Sequence, residues 1–418
     1  VYGLIVGGGS TNWRNPNTMI VEKETGAVFV YRDEKLHPVR NFASALLIVG
    51  SSGPKRVLVS RKSIAGVARG TPLGIRDAPD SLPDAKRLLK GAWRLCSTQR
   101  SDSKSQSMLM VGAGEGDSAG TSGGVSLGDK AVLVRGDREV VYLVWHNRRY
   151  RILNKDRALA AFGWSSQPLV TLAPALLNAI PAGSDLKGID IDNRGRQSRT
   201  VSGTRVGQVL VWDTVGGSKQ YAVVLREGLA EITQVQAALI LGDPRTAEKL
   251  GDDPEVKFDL GKYTKAAKAG SLVPKSGDDM PPATIPQLVT PQGGTVCAVI
   301  PDDSGVADVR VGGTLPDAAS AVRTEGRTSG GKVLADLVVV EPGRGAVVEA
   351  TPVPGNRGGT LSVVTDLGTQ YAVPRADVLS MLGYAGVHPV RLPASLVSLL
   401  PAGSALDPEA ARAPAVRD

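Results

Sequence analysis

Residues 179–186 read AIPAGSDL, and residues 399–406 read LLPAGSAL. A Pro-Ala-Gly-Ser phrase matches no phosphate-binding or metal-binding pattern, so its recurrence indicates repeated architecture rather than chemistry. Around both copies, in residues 140–186 and 360–406, the same features follow one another: an apolar run, a polar turn, a second run with a tyrosine, and a short helical pattern.

Glycine ends each of these two helical patterns. The glycines are Gly163 and Gly383, and glycine supplies the left-handed C-cap that other residues resist. The tyrosines of the second runs are Tyr150 and Tyr371. We therefore predict two equivalent units, each a β-hairpin followed by a short helix.

Two looser copies extend the pattern. Residues 207–244 turn at VGGSKQ, carry Tyr221 in the place of the other tyrosines, and end a helix at Gly242. Residues 26–50 show the same order near the start of the chain. Because one hairpin and one short helix cannot bury their own apolar face, the four units must pack on each other or on another body.

Two zones lack the hairpin-plus-helix pattern. Residues 88–127 and 285–350 are rich in β-branched runs, Gly and Pro, and each contains one of the two cysteines, Cys96 and Cys297. Both cysteines lie in runs that are typical of buried strands, and the simplest arrangement pairs these strands in one small β-rich body. The cysteines are either unrelated buried thiols or one disulfide, which would persist only in an oxidising compartment.

Composition limits the function classes. The chain has 418 residues, is 42% hydrophobic and 4% aromatic, and carries a net charge of +8 spread along its length. A nucleic-acid-binding protein usually concentrates its basic residues and interleaves aromatic ones, so we expect no nucleic-acid partner. The densest basic stretches, 147–151 and 193–199, lie either on solvated loops and strand faces or on an anionic surface such as lipid headgroups or another subunit. The sequence contains no Cys/His cluster of the kind that forms a structural zinc site.

The first six residues, VYGLIV, allow two interpretations. They are an ordinary first strand, or they are the trailing end of a membrane-spanning helix, since six residues are too few to cross a bilayer that needs about 20.

The predicted fold is α+β: an elongated body of four hairpin-plus-helix repeats around a β-rich central domain. The predicted divisions are a juxtamembrane segment (1–19), repeat 1 (20–75), the first segment of the central domain (76–127), repeat 2 (128–187), repeat 3 (188–250), an extended connector (251–284), the second segment of the central domain (285–350), repeat 4 (351–408) and a polar C-terminal tail (409–418).

Several long phrases resemble the EccB family. They are IVEKETGAVFVY and KLHPVRNFASALLI within residues 20–48, GIRDAPDSLPDAKRLL and WRLC within residues 74–96, the two cysteines, and the PAGS phrases. EccB proteins are membrane-anchored components of the type VII (ESX) secretion apparatus of mycobacteria and related actinobacteria. The resemblance covers essentially the whole chain.

The resemblance implies a short cytosolic part and a single transmembrane helix upstream of residue 1, in the inner membrane, with VYGLIV as its last residues. It also implies a periplasmic body of four repeats around a central domain, bridged by a disulfide between Cys96 and Cys297. The implied partners are EccC, EccD, EccE, the mycosin protease and further EccB copies in a hexameric assembly. The repeats of the family are similar in fold to a cell-wall-binding subunit of a phage lysin, so contact with the cell wall is an alternative.

Two glycine-rich motifs imitate catalytic ones. GDSAG (116–120) fits the serine-hydrolase pattern G-x-S-x-G with Ser118 as nucleophile, but the three histidines, His37, His146 and His388, stand in no triad context. GRTSGGKV (326–333) nearly fits the phosphate-binding loop, with Lys332 in the lysine position. There Val333 replaces the hydroxyl residue that holds magnesium, and no helix follows. We interpret both as loops.

IDIDNRG (189–195) imitates the start of a calcium loop, with Asp190 and Asp192 at the first two ligand positions. Arg194 occupies the next ligand position and Val201 replaces the closing glutamate, so calcium is not expected there. We predict no cofactor and no metal site.

These observations predict a non-enzymatic scaffold that mediates contacts between subunits of the secretion complex. The alternatives are an ATP-hydrolysing subunit, as the family is often described, and a cell-wall-binding module.

Overall fold

The described residues of the chain form five β-sheets, with helices between the strands. The structure is a computed structural model that describes residues 11–100, 104–113 and 122–415. Four of the sheets have four or five strands and carry helices, and the fifth has seven strands. Separate sheets with short helices between the strands confirm the predicted α+β class.

The first unit follows a 3-10 helix, Thr11–Trp13. Its first α-helix begins where the Asn41 side chain accepts a hydrogen bond from the Ser44 amide, and it ends at Gly50 in the left-handed conformation, with a φ of 69°. Nearly every residue of this helix is buried, as expected of a helix packed between two layers. The elements are β1 (Thr18–Glu22), β2 (Val28–Arg32), β3 (Lys35–Pro38), α1 (Phe42–Val49), β4 (Lys55–Val59) and α2 (Arg61–Ile64).

Three strands of the central sheet come next, and the second unit follows them. The central strands are β5 (Trp93–Gln99), β6 (Ser105–Met110) and β7 (Val125–Ser126). The second unit consists of β8 (Val132–Arg135), β9 (Val141–Trp145), β10 (Arg148–Arg151), α3 (Lys155–Ala161), β11 (Val170–Thr171) and α4 (Pro174–Ala179).

The third unit has the longest run of helices. Its first helix begins at a capping box, in which the side chains of Thr233 and Gln236 each bond the other's backbone amide. The elements are β12 (Val209–Asp213), β13 (Lys219–Val224), β14 (Leu229–Ile232), α5 (Gln234–Leu241), α6 (Pro244–Leu250), β15 (Glu255–Lys257), α7 (Leu260–Lys265) and β16 (Lys268–Ser271).

The rest of the central sheet and the fourth unit complete the chain. The remaining central strands are β17 (Val296–Ile300), β18 (Asp308–Val311), β19 (Val322–Arg323) and β20 (Leu337–Val339). The fourth unit and the C-terminal helix consist of β21 (Ala346–Thr351), β22 (Thr360–Val364), β23 (Gln370–Val373), α8 (Ala376–Met381), β24 (Val390–Pro393), α9 (Ala394–Val397) and α10 (Pro408–Arg412).

All four units share one strand order. The orders are β3-β2-β1-β4, β10-β9-β8-β11, β14-β13-β12-β15 and β23-β22-β21-β24, and in each unit the last strand runs parallel to the first. The third unit adds β16 beside β14. In the other three units isolated parallel bridges take that place: Leu36 with Arg69 and Val39 with Leu73 in the first, Arg149 with Ala182 and Ile152 with Leu186 in the second, and Gln370 with Ala402 in the fourth.

The central sheet combines two distant segments of the chain. Its order is β19-β20-β6-β5-β17-β18-β7, so strands from before the second unit alternate with strands from after the third. One face of this sheet, with Trp93 and Val296, packs on the second and fourth units in one hydrophobic cluster. Within that cluster, Leu176 of α4 and Leu396 of α9 bring the two units onto the same face.

The outer units attach through their helices. The first and fourth units share a cluster that contains Leu47 of α1 and Leu379 of α8. The second and third units share another, with Ala158 of α3 and Leu239 of α5. The order of packing is therefore first, fourth, central, second and third, and the first and third units are its terminal members.

Several predicted divisions differ from the structure. Residues 251–284, predicted as an extended connector, contain α7 and two strands that lie at the edges of the third sheet. The predicted boundary after residue 350 cuts β21. The predicted polar tail, 409–418, contains most of α10, whose Ala411 is fully buried in the cluster of the first and fourth units. The pattern also placed Tyr221 with Tyr150 and Tyr371, but it lies on the second strand of its unit, not the third.

Candidate functional site: the central sheet and its interfaces

The central sheet joins the two halves of the chain through a disulfide. Strands β5 and β17 pair antiparallel, with Cys96 directly opposite Cys297, and their sulfurs are bonded. Both residues are buried among Met108, Met110 and Leu337, on the face of the sheet that points away from the second and fourth units. The bond spans a sequence separation of 201 residues.

Hydrogen bonds across unit boundaries add direction to this apolar packing. The amide of Ala173, at the start of α4, donates to the Ser97 hydroxyl of β5 at 2.9 Å. The amide of Ala335 donates to the Leu399 carbonyl of the fourth unit at 3.0 Å. Because these groups are buried, sliding one unit over the other would leave them unpaired, so the bonds fix the relative position of the units.

Tyr384 connects the fourth unit to the segment that precedes the central sheet. Its ring is 2% exposed, and its hydroxyl donates to the Pro83 carbonyl at 2.8 Å. Burial raises the pKa of Tyr384 above its ordinary value, and the negative charge of nearby Asp84 acts in the same direction. The side chain is therefore a neutral hydrogen-bond donor at this boundary.

The PAGS phrases have a structural role. The ring of Tyr150 packs against the backbone of Gly183, and the Gly183 amide donates to the Arg149 carbonyl at 2.9 Å. In the fourth unit, the ring of Tyr371 packs against Gly403 in the same way, and the Gly403 amide donates to the Gln370 carbonyl at 2.9 Å. A side chain at either glycine would occupy the space of the ring.

The first unit contains a third version that the sequence comparison missed. Gly70 lies against the ring of His37, and its amide donates to the Leu36 carbonyl at 3.0 Å. The signal that could have found it is spacing, because Gly70 follows His37 at the same distance as Gly183 follows Tyr150.

The calcium-like segment is held by arginines. Asp190 accepts a hydrogen bond from Arg245 at 2.7 Å, and Arg194 is buried, with its guanidinium bonded to the Ile189 carbonyl and the Thr246 hydroxyl. Asp243, 4% exposed, bonds the backbone and side chain of Arg245. Within the described ranges, no three His, Cys, Asp or Glu side chains are grouped so that they could hold a metal ion.

The ionisation of Asp243 depends on these arginines. Burial opposes the charged form, but hydrogen bonds from Arg245 and the positive charges of Arg245 and Arg194 outweigh it, so the pKa of Asp243 lies below its ordinary value. The carboxylate is therefore charged at neutral pH and anchors the start of α6.

The glycine-rich segment 326–333 forms a closed turn. The amide of Thr328 donates to the Lys332 carbonyl, and the amide of Gly331 donates to the Thr328 carbonyl. The Lys332 amide donates to the Thr328 hydroxyl at 3.1 Å. A phosphate-binding loop presents such amides to its ligand at the start of a helix, whereas these amides are used within the turn and the chain continues into β20.

The remaining predicted site residues are dispersed. His37 lies in the first unit, where its Nδ1 is 2.9 Å from the Thr71 carbonyl, and His146 lies in the second, hydrogen-bonded to Asp129 at 2.8 Å. His388 lies between α8 and β24. Ser118 and the GDSAG motif lie outside the described residues.

The chain matches a known protein family over nearly its whole length. The model of the family described as "Type VII secretion system ESX-1, transport TM domain B" matches residues 1–415. The chain belongs to this EccB family. No helix in the described residues has both the length and the apolar character to span a membrane.

Two relatives show the extent of the similarity. The chain is 28% identical to "ESX-3 secretion system ATPase EccB3" of Mycolicibacterium smegmatis, over 93% of this chain and 76% of that protein. It is 29% identical to "ESX-2 secretion system ATPase EccB2" of Mycobacterium tuberculosis, over 54% of this chain and 45% of that protein.

Solved structures share the fold. A chain of the intact ESX-5 inner membrane complex matches with a TM-score of 0.71 at 23% identity, over 96% of this chain and 82% of that chain. A chain of the EccB3 dimer from the ESX-3 core complex matches with a TM-score of 0.68 at 25% identity, over 95% of this chain and all of that chain.

Proposed function

We propose that this chain is a structural subunit of a type VII (ESX) secretion membrane complex, in which its four units hold surfaces for contact with other subunits. The observation that carries the proposal is the match to the EccB3 dimer chain, which extends over all of that chain and 95% of this one. A fold preserved over this length supports the proposal that the units serve the same structural role in both chains.

The domain division that accompanies this function is four repeats, which are the four units, around a central domain. The common strand order of the units supports it. The disulfide between Cys96 and Cys297 then closes the central domain after export, because such bonds persist in oxidising compartments. The proposed location is the periplasmic side of the inner membrane, with one spanning helix before residue 1.

The proposed partners are EccC, EccD, EccE, the mycosin protease and further copies of this chain in a hexameric assembly. Affinity purification of the tagged protein from detergent-solubilised membranes tests this, with the same tag on an unrelated membrane-anchored periplasmic domain as control. Co-elution of the other subunits in one large particle is expected. Elution of the tagged protein alone, under conditions that keep the other subunits together, would contradict the proposal.

An ATP-hydrolysing function is the second candidate, because the printed names of both relatives contain the word ATPase. The closed turn at 326–333 argues against nucleotide binding at the sequence that most resembles a phosphate-binding loop. Calorimetric titration of the purified chain with Mg-ATP separates the two functions. Saturable binding that Lys332→Ala abolishes would favour the enzyme, and heats that match buffer dilution would favour the scaffold.

A further inference from the structure

The first unit presents one face of its sheet away from the rest of the molecule. Helix α1 covers the face that packs on the fourth unit. The opposite face, here called the outer face, is formed by a separate cluster that contains Trp13, Ile20, Phe29, Val59 and Ile64. These side chains are at most 7% exposed, and every member of the cluster belongs to the first unit, so that unit's own segments cover it and the exposed groups on this side are the polar side chains around it.

Basic side chains surround the outer face. The guanidinium of Arg14 lies over the ring of Trp13, with 5.2 Å between Cζ and the centroid, and that of Arg69 lies over Phe29 at 4.8 Å. Lys55 is exposed and points to the same face as Val57, since side chains two apart on a strand share a face.

The short helix that covers part of the outer face adds two more cations. Arg61 and Lys62 begin α2 and are exposed, while Ile64 of the same helix is buried in the outer-face cluster. Glu22 bonds Arg61 at 2.6 Å and neutralises one charge. Glu24 accepts from the Arg61 amide at 2.9 Å. Five basic and two acidic side chains therefore belong to this surface.

The two terminal units differ in charge. Residues 11–75 contain ten Lys and Arg and four Asp and Glu, a net charge of +6, which is most of the +8 of the whole chain. Residues 188–284, which include the third unit, contain thirteen of each kind and are neutral. Residues 76–187 carry a net charge of +5, so the first unit shares the positive charge with the segment that follows it, and of the two terminal units only the first is basic.

The chain reaches the outer face from its N-terminal side. Trp13 is part of the outer-face cluster, and only five residue steps separate Val6, the last residue of the apolar VYGLIV, from Thr11. The apolar segment is therefore adjacent in sequence to the residues that form the outer face.

We propose that the outer face of the first unit binds the anionic phospholipid headgroups of the membrane in which the chain is anchored. This rests on the proposed function, which puts a spanning helix just before residue 1. Lysine and arginine near an anionic bilayer each contribute about 1 kcal/mol, an effect that fades beyond a screening length of about 8–10 Å. Arginines that stack on aromatic rings are amphipathic groups, and such groups are favoured at the interface between membrane and water.

Co-sedimentation of the 418-residue chain with lipid vesicles tests the proposal. We expect retention on vesicles of phosphatidylcholine mixed with phosphatidylglycerol, much weaker retention on phosphatidylcholine alone, and release as salt rises. The double variant Lys55→Gln/Lys62→Gln should lower the partition coefficient by about fivefold per charge, on the order of 30-fold in total. Thermal unfolding of the variant checks that the fold is kept.

The matched control is Lys257→Gln/Lys265→Gln, which removes two exposed lysines from the third unit and should leave retention unchanged. Equal retention on charged and neutral vesicles would overturn the proposal, because insertion of VYGLIV does not require lipid charge. Equal loss in both double variants, or no retention at all, would also overturn it. None of these results alters subunit co-purification, so failure here is distinguishable from failure of the proposed function.

Discussion

Gly183 lies so close to the ring of Tyr150 that a Cβ added to it would be 2.2 Å from a ring carbon. The same distance separates a Cβ added at Gly403 from the ring of Tyr371. Since real Cβ atoms do not approach so closely, the phrase PAGS recurs because the tyrosine ring occupies the space that a side chain at the glycine would need.

Gly183→Ala should therefore destabilise the protein. Tyr150 is 1% exposed and its hydroxyl donates to the Met280 carbonyl at 2.8 Å, so the ring cannot move aside freely. Overpacking of this kind costs about 1–3 kcal/mol in the free energy of unfolding. Urea denaturation measures it, with Gly330→Ala, at a site with no close neighbour, as control. Equal stability of the two variants would contradict the prediction.

Cys96→Ser and Cys297→Ser should lower the free energy of unfolding by the same amount, about 2–5 kcal/mol, because each removes the same cross-link. The double variant should be no less stable than either single variant, and reducing the wild-type protein should reproduce the loss. Mass spectrometry of the non-reduced protein provides a direct check. Two free thiols there would show that the bond does not form.

Tyr384→Phe should cost about 1–2 kcal/mol, since it removes the donor to the Pro83 carbonyl while keeping the buried ring. Tyr221→Phe is the control, because the Tyr221 hydroxyl makes no hydrogen bond within the described ranges. Denaturant midpoints of the two variants give the comparison. A Tyr384→Phe midpoint equal to that of the wild type would mean that the bond contributes nothing at this boundary.

Asp243→Asn should destabilise the third unit by about 2 kcal/mol at neutral pH, because asparagine can still bond the Arg245 amide but leaves the buried Arg194 without the carboxylate it faces and Arg245 with only the exposed Asp190. Asp190→Asn, which removes an exposed partner of Arg245, should cost less than about 1 kcal/mol. Both values come from urea denaturation at neutral pH.

The effect of Asp243 should depend on pH. Its folded pKa is lowered, so its contribution is complete well above the unfolded value of about 3.9 and is lost as the pH falls through the lower folded value. The difference in stability between wild type and Asp243→Asn should shrink in acid. A difference that stays constant down to the lowest pH at which both proteins fold would contradict this assignment.

Local patterns in the sequence were informative where a backbone conformation demands one residue type. Gly163 and Gly383 end their helices with φ values of 75° and 91°, in the left-handed region that the sequence predicts for them. Tyr221 was misplaced because two neighbouring strands of a meander carry similar apolar patterns, and Ala230 holds the third-strand position that tyrosine holds elsewhere.

Edge strands and long-range packing left weaker signals. The strands EVK (255–257) and KAGS (268–271) are short and partly charged, as edge strands often are, so their sequence favours a connector. The pairing of the first unit with the fourth, and of the second with the third, depends on the shapes of faces that meet only in the folded chain. Neither periodicity nor composition reports those shapes.

The packing order also governs how the chain can fold as it is made. The second and third units are neighbours in sequence, so they can join early, whereas the apolar side of α1 must wait for α8, more than three hundred residues later. At ordinary rates of synthesis that interval is on the order of half a minute. During that interval the apolar side of α1 in the first unit is exposed to solvent and prone to aggregation. The first unit therefore needs a chaperone or prompt export.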